Sequence, residues 1–312
     1  LIELLRKGTT GTYRGRPIAS MSPSQRQTAV AELDKHRQQC LKQAVAVGEK
    51  LLKDNSPLAR ELRPETLFNM GVCYYQLGDH LSAVNSLMQA AEYTSFKRAL
   101  PAAAYAVQIA AELYCPEGKP NPNPAYREAF IRAARVLIKR FPTSSDAHYW
   151  RFFLAQALEQ AGQFAEAASQ YAKVSPSHEN YLDAGYRRCV CLLRQIETAR
   201  AEGRTTKLAL ARQARTAAEQ AIAYHKQALQ ALASPPAGSG KLSPERRSEI
   251  ESFAADALLI AAQLYADPLL DQPRQAIELL AGFETRFAAH KQLVGRALRI
   301  RISALQTLGQ LQ

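Results

Sequence analysis

Residues 67–90 read LFNMGVCYYQLGDHLSAVNSLMQA, and the spacing within them decides the fold. Leu67, Met70 and Tyr74 recur at intervals of three and four, which is the repeat of one helical face. Gly78 and Asp79 interrupt the pattern, and Ala83, Leu87 and Ala90 then resume it. Two helices therefore run antiparallel across a short turn in which Gly78 supplies the backbone freedom. Small residues fall where the helices must approach, Gly71 on the first and Ala83 on the second. Tyr74 and Leu87 fill the space beside them.

The same order recurs further along the chain. Residues 154–174 place Leu154, Ala155, Leu158, Gly162, Ala167, Tyr171 and Val174 at matching intervals, with Gly162 lying 84 residues after Gly78. Two looser copies are Ile109-Ala110-x2-Leu113 with Ala129-x3-Ala133-x2-Val136, and Ile260-Ala261-x2-Leu264 with Ala276-x3-Leu280-x2-Phe283. Self-similarity of this kind is the mark of a repeat architecture, in which each unit buries its apolar face on the next.

The pattern resembles the tetratricopeptide repeat, closely in two segments and loosely over the rest of 64–312. The fold implied is all-α, an α-solenoid of antiparallel helix pairs wound as a right-handed superhelix. The function implied is a non-catalytic scaffold that binds a protein or peptide ligand. In that family the first helix of each pair lines a concave groove. Carried over by position, the groove holds Phe68 and Tyr75, Val107 and Tyr114, Tyr149 and Phe152, Leu258 and Tyr265, then Arg296 and Arg299. Such an aromatic-aliphatic trough with a basic end suits an extended peptide or amphipathic helix whose carboxylate meets an arginine. The family's carboxylate clamp uses Asn at two positions occupied here by Val72 and Ala111, so binding of chaperone tails is not implied.

Punctuation sets the remaining organisation. Residues 1–22 read as the end of a preceding helix (LIELLRKG) and a linker, and Ser22-Pro23 opens a long helix over 23–63, with its regular part ending near Asn55. Helices follow at about 64–77, 80–94, 101–115, 124–140, 145–161, 164–173, 178–201, 204–232, 243–266, 273–288 and 290–308. Loops at 116–124 and 234–241 are rich in Pro and Gly, and the pair over 178–232 is longer than a standard unit. Its length suggests that it projects beyond the array or bends it. The chain starts on a helix end and stops on a helix that still shows Ile300, Ile302, Leu305 and Leu308, so the sequence reads as a piece of a longer chain or assembly.

Composition narrows the alternatives. The net charge is +12, and the excess sits at the ends: 12 basic against 6 acidic side chains in residues 1–63, and 14 against 9 in residues 204–312. An acidic partner fits that balance, and so does a helical module associated with nucleic acid, although no dense Lys/Arg run with interleaved aromatics occurs. A regulatory module of a larger enzyme is a third reading. Catalysis by the chain itself is disfavoured. Gly238-Ser-Gly240-Lys241 lacks the rest of a phosphate loop, the six histidines are scattered singly, and no motif calls for a metal or cofactor. No uninterrupted apolar stretch is long enough to span a membrane. Five cysteines, odd in number and set in apolar helical stretches, favour a reducing compartment such as the cytoplasm.

Overall fold

A computed structural model describes residues 7, 11–203, 205–234 and 242–310. Over these residues the protein is all-helical, apart from a two-residue antiparallel pair, Thr12–Tyr13 with Arg16–Pro17, inside the segment read as linker. Arg14 and Gly15 turn that pair with φ of 47° and 75°, and it folds back so that Ile18 is buried against Ala29. The reading of residues 1–6 and 8 as a helix end, most of the 234–241 loop and the Gly238–Lys241 stretch lie outside the described residues. The chain divides into two compact units, Leu1–Pro142 and Thr143–Gln312, a division the sequence reading did not make.

The first unit contains α1 (Pro23–Lys53), α2 (Pro57–Leu77), α3 (His80–Ala91), α4 (Ala99–Tyr114) and α5 (Pro124–Arg140). Each helix packs on the next, and α3 also touches α5. Helix α1 opens with the expected cap: Gln25 N donates to Ser22 Oγ at 3.2 Å while Gln25 Oε1 accepts from Ser22 N at 2.9 Å. It ends at Lys53, close to the end expected near Asn55, and the rest of the 23–63 segment is a short connection and the start of the next helix. The next helix starts at Ser56-Pro57, a second copy of the same Ser-Pro signal, with Ala59 N donating to Ser56 Oγ. Pro64, expected to open a helix, instead lies inside α2. The ring removes one helical hydrogen bond there, and the surrounding turns carry the helix through.

The α2–α3 pair has the packing that the repeat pattern requires. Gly71 and Ala83 are both buried at the contact. A Cβ on Gly71 would lie 2.6 Å from Leu87 Cγ and 3.3 Å from the Ala83 carbonyl oxygen, so only glycine allows this approach. Leu87 is 1% exposed, a burial worth about 1.5–3 kcal/mol. Gly78 takes φ 83° at the turn and Asp79 caps α3 by accepting from Ser82 N. Gly48 of α1 serves in the same way against Met70, whose Sδ would stand 2.5 Å from an added Cβ.

The second unit holds α6 (Ser145–Gln160), α7 (Phe164–Tyr171), α8 (Tyr181–Glu202), α9 (Lys207–Ala233), α10 (Pro244–Ala266), α11 (Pro273–Leu279), α12 (Phe283–Arg286) and α13 (Lys291–Thr307). Ala155 and Ala167 are fully buried between α6 and α7, as the second motif copy demands. The long helices α8 and α9 do not project: α9 lies against both α8 and α10. Gly185 admits the Tyr224 ring, since a Cβ there would stand 2.6 Å from Cδ2. Helix α10 also touches α8 and α13, and α11 touches α13. The helix expected over 273–288 is broken by Gly282 at φ 72°, which turns Phe283 and Phe287 together into the core at 4.8 Å between ring centroids. On α13 the small residues Ala297 and Ala304 face inward, while Leu298 and Ile302 remain 43% and 48% exposed.

Candidate functional site

The first unit has an apolar cleft of about 270 Å³ between α2 and α4. Its floor is made by Gly71, Val72, Leu87 and Ile109, so the glycine of the close α2–α3 contact is also part of the cleft. Tyr75 and Tyr105 stand on either side, 44% and 50% exposed. Gln108 and Glu112 form the rim on α4, with Gln108 Nε2 donating to Glu112 Oε1 at 3.4 Å. The two helices run in the same direction, because Glu65 of α2 is paired with Arg98 at the start of α4 and Phe68 lies 6.3 Å from Tyr105 further along. Tyr75 and Glu112 therefore share the end of the cleft where both helices finish.

Of the residues expected to line a groove in this unit, Tyr75 alone is exposed. Phe68 is 6% exposed: its ring meets Phe96 edge-on and the Arg98 guanidinium lies over it at 4.4 Å. It thus holds Tyr105 in place from beneath. Val107 is fully buried in the stack, and Tyr114 is buried because it stacks on Phe130 of α5 at 5.5 Å. The carry-over placed Val107 and Tyr114 in the groove because α4 is rich in alanine. Ala102, Ala103, Ala106 and Ala110 are all buried, so the small-residue signature fits several registers. The missed residue is Tyr105. Tyr105, Gln108 and Glu112 sit at i, i+3 and i+7 on an otherwise apolar helix, and that second face was the signal that could have found it.

The second unit closes where the sequence expected an open trough. Tyr149 is 49% exposed, but Phe152 is buried against Tyr171 and His178. Leu258 and Tyr265 are 8% and 5% exposed because α8 and α13 flank α10. Arg296 does not wait for a ligand carboxylate. It is paired with Asp256, which also accepts from Tyr186 Oη at 2.6 Å, and burial pushes the Tyr186 hydroxyl above its usual range. Arg299 is exposed on α13. Parallel links join the other helices: Arg187 of α8 to Glu159 of α6 at 3.2 Å, and Arg246 of α10 to Asp183 of α8. These pairs tie together helices that are not consecutive in the chain, and of the two arginines expected at the basic end of the groove Arg296 is neutralised while Arg299 stays exposed.

Five cysteines are present as free thiols. Burial pushes Cys189 and Cys191 up to about 12, whereas Cys40 is exposed. Because the thiolate is the reacting form, a maleimide or disulfide reagent is expected to modify Cys40 in the native protein. Cys189 and Cys191 should react only after denaturation. Labelling of either at the rate of Cys40, read by peptide mass spectrometry, would contradict the packing of α8. His225 is buried within α9, with Nδ1 2.7 Å from the Ala254 carbonyl oxygen, and burial holds its pKa below the ordinary value.

Among the described residues no helix is long and apolar enough to cross a membrane. No known family model matches the chain, and no curated protein matches it. The resemblance to tetratricopeptide repeats therefore rests on the residues and packing described above.

Proposed function

We propose that this chain is a non-catalytic scaffold of the tetratricopeptide kind. In this reading its helix pairs stack as a right-handed solenoid, and the first unit holds a segment of a partner protein in the α2–α4 cleft. One observation carries the reading: two half-exposed tyrosines flank an apolar depression whose floor includes the glycine of the repeat signature. Large aromatic side chains left in water beside an apolar floor are what a protein-binding hot spot needs. The volume, about 270 Å³ and so below the roughly 300–1,000 Å³ of small-molecule pockets, suits a peptide side chain better than a cofactor.

Association with nucleic acid is the weaker reading. Arg98, Arg140, Arg187, Arg200, Arg246, Arg296 and Arg301 are each joined to a carboxylate, so these guanidinium groups are committed within the chain rather than presented to phosphates. Affinity capture with the intact chain, followed by a salt titration of the captured complex, tests the choice. A partner held by tyrosine anchors should stay bound between about 50 and 200 mM salt, whereas phosphate-driven binding falls steeply over that range.

A further inference from the structure

We infer that the segment taken by the α2–α4 cleft is basic: a large apolar side chain that enters the depression, with a lysine or arginine within a helical turn of it. This rests on the reading of the cleft as a partner site. The volume of about 270 Å³ equals the share of roughly nine liquid waters at about 30 Å³ each, which is room for one or two apolar side chains. Its chemistry at the rim is one-sided. Glu112 is the only ionised side chain among the lining residues, it is exposed, and its bonded neighbour is the neutral Gln108. Helix α4 itself carries no basic side chain, and Arg98, which precedes it, is committed to Glu65 and to the face of Phe68 at the opposite end.

Three further features add negative character where Glu112 sits. Helices α2 and α4 both finish there, at Leu77 and Tyr114, and helix C-termini carry partial negative charge. The Asp79 carboxylate, four residues beyond Tyr75, caps α3 and outweighs the partial positive charge of that helix start. The exposed faces of Tyr75 and Tyr105 can each receive a cation over the ring. The local chemistry is thus the reverse of the whole-chain balance. An acidic ligand, which the +12 net charge favours, would meet like charge at Glu112 if it entered this cleft.

That opposition makes the test sharp. Short fluorescent peptides of neutral background are prepared in three forms: a central Phe with two flanking Lys, the same Phe with two flanking Glu, and the two Lys without Phe. Binding to the full chain is followed by anisotropy, with Glu112→Lys and Tyr105→Ala as variants and circular dichroism to show that both fold. The Phe/Lys peptide should bind at least about tenfold more tightly than either other form, because like charges set side by side in an interface are strongly disfavoured. Glu112→Lys should invert the order of the Lys and Glu peptides, and Tyr105→Ala should weaken whichever binds. Preference of the wild type for the Phe/Glu peptide, or an order unmoved by Glu112→Lys, would overturn the inference. So would absence of binding by all three. If a natural partner's binding nevertheless depended on Tyr105, the scaffold reading would stand while the basic-segment inference fell.

Discussion

Leucine in place of Gly71 is expected to lower the melting temperature of the first unit by on the order of 5 °C or more. The cause is local and geometric. Even a methyl group at this position would lie 2.6 Å from Leu87 Cγ and 3.0 Å from its Cδ2, with the Ala83 carbonyl oxygen at 3.3 Å. Leu87 is 1% exposed and can give way only toward the α2–α4 cleft whose floor it forms, so relief disrupts either that floor or the α2–α3 contact. Overpacking of a tight core costs about 1–3 kcal/mol, and more where backbone blocks relief. Replacing glycine within a helix returns only about 1 kcal/mol through propensity, so the clash wins. Thermal circular dichroism reads the result. A variant that melts with the wild type would show that α2 and α3 do not pack in this register.

That contact was legible in the sequence because glycine inside an apolar helix stripe has few other uses. Ala155 and Ala167 were legible because they fall at the same intervals as Gly71 and Ala83. Most helix starts were readable from Ser, Asn or Pro at the cap, and Ser56-Pro57 was passed over only because Pro64 offered a second start signal seven residues later. The groove was harder. Which face of a helix meets solvent depends on what packs on its other sides, and the alanines of α4 satisfy the repeat spacing in more than one register. In the second unit, Arg296 and Asp256 are 40 residues apart, and nothing local in the sequence announces that they neutralise each other. The division near Pro142 is likewise a property of long-range contacts rather than of any Gly- or Pro-rich linker.

Truncation of Tyr105 to alanine is the second large effect expected. Partner affinity should fall by about 2 kcal/mol, on the order of thirty-fold, as for a hot-spot aromatic. Stability should change little, because half of the side chain is already in water. Phe68→Ala gives the contrast. Phe68 is 6% exposed beneath Tyr105 and Arg98, so its loss should destabilise the unit by up to about 3–5 kcal/mol. Equilibrium binding and thermal melting on the two variants separate a residue that touches the partner from one that supports it. A Tyr105→Ala variant that binds within threefold of wild type would remove the cleft from the interface.

Site-specific photo-crosslinking tests the scaffold reading most directly. A benzophenone amino acid is placed at Gln108, on the rim of the cleft, and in a separate protein at Lys139, exposed on α5 away from it. Partner crosslinked from position 108 and not from position 139 is the expected result. Crosslinking from 139 with none from 108, or equal yields from both, would contradict partner binding in the α2–α4 cleft.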